Sequence, residues 1–393
     1  MHVIPMRIQV RLLRKMREIP DHYLRSLFRV GGEIVRSEVI HHIGTRGAPG
    51  WDRTLCACLE ERSPAIRRVA AFALGLGGSS GHKKLLLGHA EMERCDTVRF
   101  HMLLSARRCG ASHNEAWDVF GRYLERSVHG AYGVRPTGGL AGWTAEETAE
   151  LWRLAGGGQV SEPPADPTTV RGRARTSLAV NADDRAAVVA LGLMGHPDDV
   201  ELLESLWGTA GRRMRLTLCK AMGLHGSAIF LGRLRTCLTV MDVDPGHGFA
   251  LRVASSMALG RLGYTVSTRL LIGALTTEAL EYEGSPGAGL GVQHSVRAHI
   301  LAALGEIQSA PEVVETYLGN LHGNAQGGFY LTAMDALWKH GNEQPMYSLM
   351  AQSEVVAANA LGVIRALSGP EAVSGWLDDE RPMVARVAKG QSV

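Results

Sequence analysis

A chain of 393 residues that is 45% hydrophobic and carries a net charge of only +3 is too apolar and too evenly charged to be disordered; it is long enough for several domains or one extended array. It has no run of about 18 apolar residues, so no membrane span is expected, and the opening MHVIPMRIQVRLLRKMREIP spreads basic residues through its apolar positions, unlike a secretory signal. Cys56, Cys58, Cys95, Cys109, Cys219 and Cys237 form no C-x-x-C pair, so reduced thiols in a cytoplasmic protein are expected.

In chain order, the first recurring element is Val35-Arg36 followed by Gly44 and Gly47. Ile66-Arg67 with Gly75 and Gly78, then Val98-Arg99 with Gly110, repeat it. After a gap the pattern resumes with Arg215, Gly223 and Gly226, then Arg252, Gly260 and Gly263, then Arg297 and Gly305. Degenerate copies put Asp184, Tyr330 and Ala360 at the arginine position. The anchors 36, 67, 99, 184, 215, 252, 297, 330 and 360 are spaced by 31, 32, 85, 31, 37, 45, 33 and 30 residues, which marks an internal repeat.

Within a unit, the residues after the anchor place apolar or small side chains at helical spacing. Ser63-Pro64 supplies a cap and a first-turn proline, and the glycines at the far end suit a left-handed stop. A second amphipathic segment follows, as in HKKLLLGHAEM or APEVVETYLGNL, so the expected unit is helix, tight turn, helix. One such pair cannot bury its apolar stripe alone, and stacking in series is expected, with Ala70, Ala71, Ala73, Ala258 and Ala303 allowing close approach.

The long step between anchors 99 and 184 holds a Gly/Pro-rich insertion over 128–180, with one expected helix from Thr144 to Leu154 opened by a capping box and flanked by Trp143 and Trp152. The chain therefore divides into N-terminal repeats over 1–127, the insertion, and C-terminal repeats over 181–393. The tryptophans are either recognition residues on a projecting loop or covers for exposed core ends. A shorter interruption, EYEGSPGAGLGVQHS, lacks the spacing of a phosphate-binding loop.

The motif of hydrophobe-Arg, small residues, Ala-Leu-Gly and a second glycine resembles the HEAT-like repeats typified by phycobilisome lyases, over roughly 30–127 and 181–390. That resemblance implies an all-α fold, an α-solenoid of stacked antiparallel helix pairs. It also implies that the arginine column, Arg36, Arg67, Arg99, Arg215, Arg252 and Arg297, is structural and pairs with acids or carbonyls of the neighbouring unit.

Charge is unevenly spread. Residues 241–393 carry 9 basic and 15 acidic side chains, a net of −6, which leaves +9 for residues 1–240. The stretch 205–241 holds Arg212, Arg213, Arg215, Lys220, Arg233 and Arg235 without an acid, and 62–90 holds Arg62, Arg67, Arg68, Lys83 and Lys84 likewise. Stacked repeats can merge such runs into a basic strip that suits an acidic partner.

No nucleophile motif and no metal-ligand spacing is present; His41-His42 diverge on a helix, and His294 and His299 are off the i,i+4 face. No cofactor is expected. The leading expectation is a non-catalytic scaffold or adaptor that receives a protein partner on its concave face, with Arg212, Arg213, Lys220, Arg233, Arg235, Trp143 and Trp152 as candidate contacts. A HEAT-like lyase or isomerase holding a small ligand is the second reading. A nucleic-acid binder is the third, with Trp117-Asp118 as a faint echo of HEAT-like DNA glycosylases and the overall charge against it.

Overall fold

The computed structural model describes residues 13, 19–47, 50–112, 114–116, 118–119, 167–239, 245–278, 296–320, 327–342 and 344–391. Among these the regular elements are all helical, with no strand. The first group is α1 (Asp21–Val30), α2 (Glu33–Arg46), α3 (Asp52–Cys58), α4 (Pro64–Gly77), α5 (Gly81–Met92) and α6 (Asp96–Arg108). The second begins with α7 (Pro167–Val180), α8 (Arg185–Met194), α9 (Val200–Thr209), α10 (Arg212–His225), α11 (Leu231–Thr239) and α12 (Pro245–Leu262). It continues through α13 (Ser267–Glu278), α14 (Val296–Ile307), α15 (Pro311–Asn320), α16 (Gly327–His340), α17 (Gln344–Ser348), α18 (Glu354–Ser368) and α19 (Pro382–Ala388). Short 3-10 turns precede α9 and α11.

The repeat anchors fall on α2, α4 and α6, then on or at the start of α8, α10, α12, α14, α16 and α18. These inner helices lie side by side in chain order, α2–α4–α6 as one row and α8–α10–α12–α14–α16–α18 as another. The other helices flank the rows. An outer helix packs on the inner helix that follows it far more than on the one before: α5 covers α6 and barely touches α4, and α7, α11, α13 and α15 cover α8, α12, α14 and α16. The packed pair is thus outer-then-inner, half a unit out of phase with the helix-turn-helix unit read from the sequence. The described part of the expected insertion, 167–180, is the outer helix of α8. Its remainder, with Trp143, Trp152 and the Thr144–Leu154 segment, lies outside the described residues, as does the whole loop at 281–295.

The two glycines of the motif have separate jobs. The one eleven residues after the anchor ends the inner helix in the left-handed region, as at Gly78 (φ 61°) and Gly226 (φ 83°). The one eight residues after is helical and sits where the next inner helix comes closest. A Cβ on Gly44, Gly192, Gly223, Gly260 or Gly305 would lie within 2.7 Å of an alanine backbone atom on the next helix, namely Ala73, Ala221, Ala258, Ala303 and Ala336; on Gly75 it would meet Ser105. Each small partner stands six residues after its own anchor. Glycine against alanine lets successive backbones touch, which sets the spacing of both rows.

Each row has a hydrophobic core, and the cores trade residues. Leu193, Met194 and Leu224 from the second row belong to the core of the first, while Ile34 and Ala65 belong to the core of the second. The first row lies across the C-terminal ends of the second row's inner helices.

Candidate functional site

At this seam the first row supplies cations to the negative ends of helices in the second. Arg68, 2% exposed, donates to the carbonyls of Gly223 (3.2 Å) and Gly226 (3.1 Å) at the end of α10, and to those of Arg261 and Leu262 (3.0 Å) at the end of α12. One guanidinium therefore closes two helix C-termini. Arg94 donates to the Trp338 carbonyl at 2.7 Å. The Tyr264 hydroxyl donates to Gly226 O (3.0 Å) and lies 2.8 Å from Ser37 Oγ; Glu33 accepts from the backbone N–H (2.9 Å) and hydroxyl (2.8 Å) of Thr265.

Farther along, Glu306 of α14 caps the start of α6. Its carboxylate accepts from the amides of Asp96 (3.4 Å) and Thr97 (3.3 Å) and from Cys95 Sγ (3.1 Å). Lys339 of α16, 1% exposed along its side chain, reaches Asp96 and Glu306 at 2.7 Å each and Asp335 at 3.1 Å. Burial, followed by Glu306 and Glu93, holds the Cys95 thiol well above its ordinary range. It stays protonated, and this buried cluster offers no thiolate nucleophile.

The arginine column is placed as follows. Arg67 makes a two-point contact with Glu93 (2.7 and 2.8 Å), donates to the carbonyls of Glu61 and Arg62 (2.8 and 2.9 Å), and crosses the seam to Gln308 Oε1 (3.0 Å). Gln308 takes the left-handed position held elsewhere by glycine (φ 53°), and its amide also donates to Lys339 O at 2.8 Å. Arg36 pairs with Glu61. Arg99 bonds Ala90 O (3.1 Å) and Asp96 (3.2 Å). Arg215 stacks over Trp207, with 5.9 Å to the ring centroid, and Arg252 and Arg297 are half-buried on α12 and α14.

The basic run at 205–241 separates into parts. Arg233 stacks on the same Trp207 (5.4 Å) and pairs with Glu204 at 2.8 Å, an acid one residue outside the run. Lys220 is half-buried on α10, and Arg235 is exposed on the outer helix α11. Arg212 and Arg213, both exposed, open α10 behind Gly211, an N-cap residue without a side-chain cap. Together with Arg185, the first residue of α8, and with Asp183 and Met214, they line an open cleft of about 480 Å³. This cleft lies at the N-terminal ends of α8 and α10, opposite the seam. The uncapped N-terminus of α10 and the three arginines give it a positive field, offset by Asp183 in its lining and by Asp184, whose carboxylate caps α8.

Proximity along the chain groups these six basic residues, and it sets Arg68 in a second run beside Arg67, the column residue expected to be structural, whereas both are buried. It passes over Arg185, whose role depends on α8 and α10 starting side by side. The spacing of anchors 184 and 215 was the signal that could have found it.

Among the described residues, no group of three or more His, Cys, Asp or Glu is placed to hold a metal ion, and no helix is long and apolar enough to cross a membrane. No protein-family model matches the chain, and no curated protein matches it.

Proposed function

We propose that this protein is a non-catalytic, cytoplasmic binding scaffold: a HEAT-like α-solenoid folded back on itself, whose free cleft takes an acidic segment of a protein partner. The observation that carries this reading is that Arg185, Arg212 and Arg213 all line one open cleft. The cleft is too open to seal a reaction from water, while exposed guanidiniums in a fixed frame suit carboxylate or phosphate groups on a docking chain.

The test is capture from native lysate by the immobilised full chain. Arg212→Glu with Arg213→Glu is expected to abolish capture of a specific protein, whereas Arg235→Glu, on the outer helix, leaves it intact. Equal capture by both variants refutes the assignment. A nucleic-acid shift that weakens steeply with salt would replace it with the nucleic-acid reading, and a small molecule retained in native mass spectrometry would replace it with the lyase-type reading.

A further inference from the structure

Where α2, α4 and α6 meet the end of α10, three imidazoles are buried: His41, His101 and His225. The rings of His41 and His225 are 6.4 Å apart; His41 stands edge-on to Phe72 at 5.2 Å and His225 edge-on to Phe230 at 5.4 Å. His225 Nε2 lies 2.9 Å from the His196 carbonyl. Two guanidiniums share the region. Arg68 is held by the four carbonyls described above, and Arg108 lies 5.4 Å from the Phe72 ring and 3.9 Å from Met194 Sδ.

His101 is the imidazole most enclosed by positive charge. Arg68 of α4, Arg108 of its own helix and His225 of α10 disfavour its charged form, a backbone hydrogen bond at Leu224 favours it, and its Nε2 is buried. On α2 the buried groups nearby are His41 and, one turn earlier, Glu38. The turn after α12 contributes the Tyr264 hydroxyl. Burial, followed by Arg68 and Arg108, holds His101 well below the ordinary histidine range, so it is neutral while the rows are docked. Charging it in place would set a third cation against the buried Arg68 and the part-buried Arg108. Parting the rows hydrates all three. The closest backbone contacts within each row, glycine against alanine, involve no titrating group.

We propose that the seam is an acid-sensitive joint: proton uptake by His101 between Arg68 and Arg108 releases the first row from the second while each row keeps its own packing. The parted form binds more protons at His101 than the docked form. Docking is therefore fully favoured above the ordinary histidine pKa of about 6.5 and weakens about tenfold per pH unit below it. Ordinary carboxylates titrate about two units lower, outside this window.

Three backbone amides report on the joint because their acceptors lie in the other row: Asp96 and Thr97 donate to Glu306, and Thr265 to Glu33. Hydrogen exchange on the full chain, corrected for intrinsic rates, is expected to show protection at these amides falling about fivefold between about pH 6.5 and 5.5, with amides in the middle of α4 and α12 unchanged. His101→Gln is expected to remove that pH dependence. Should this variant fail to fold, Arg108→Gln, which takes away one of the opposing cations, is expected to make the loss smaller and to level it off at a higher pH. The proposal is overturned by protection at the three amides that does not change with pH, by uniform loss across both rows, or by wild-type pH dependence in the folded variants.

Discussion

Gly223→Ala tests the account of row spacing at one atom. A methyl there would stand 2.7 Å from Ala258 Cα, 3.0 Å from its carbonyl oxygen and 3.1 Å from its Cβ. Ordinary carbon contacts are about 3.5–4.0 Å, so α10 and α12 must separate by about 1 Å. Overpacking of this kind costs about 1–3 kcal/mol, and the obstacle is backbone that cannot swing aside. Alanine's better helix propensity returns about 1 kcal/mol. The net expectation is a loss of about 1–2 kcal/mol, because the flanking contacts at Gly192 and Gly260 hold the same helices in place. Gly88, in the middle of α5, is the control: its added Cβ meets nothing within 4 Å. Gly88→Ala is expected to gain about 0.5–1 kcal/mol. Denaturant titrations followed by circular dichroism should therefore move the two midpoints in opposite directions. A Gly223→Ala protein as stable as Gly88→Ala would show that the motif glycine serves something other than close approach.

Arg68→Met is expected to lose about 3–5 kcal/mol, because it strips a charged donor from four buried carbonyls; Arg68→Lys should recover little, since a single ammonium cannot span two helix ends. Both are read from denaturation midpoints, and near-wild-type stability in Arg68→Met would mean that the seam is unimportant to the fold. Asp184 caps α8 through the Ala187 amide (3.1 Å) and accepts from Ser177 Oγ, and these bonds hold its carboxyl below the usual range. Asp184→Ala should cost about 1 kcal/mol at neutral pH. The stability it supplies is present above the unfolded carboxylate value of about 4 and is lost as pH falls through the lower folded value. Wild type and variant should therefore converge in acid, and a gap that stays constant with pH would contradict the capping role.

The repeat and its helices were legible because their causes are local. Apolar stripe, proline entry and left-handed glycine exit all fall within about three turns. The same locality explains the phase error, since nothing near Gly78 shows that α5 leans forward on α6 rather than back on α4. The glycine eight after the anchor was visible, but its purpose needed the next helix: Ala258 lies six residues into a unit whose distance from Gly223 along the chain is arbitrary. Arg68 was hidden for a stronger reason. Beside Arg67 it read as one more charge on a solvated run, and its partners lie 155 to 194 residues away. The charge imbalance between the two halves of the chain pointed outward to an acidic partner. Part of it is answered inside the molecule, where Arg67, Arg68 and Arg94 meet carboxylates, a side-chain amide and helix ends.

Asp96 and Lys339 stand 243 residues apart and meet at 2.7 Å, both buried, only where the two rows dock. A double-mutant cycle with Asp96→Asn and Lys339→Met, measured by equilibrium unfolding, is expected to give a coupling of about 1–3 kcal/mol. Additivity within about 0.5 kcal/mol would mean that the rows do not touch there, and the folded-back arrangement would be wrong.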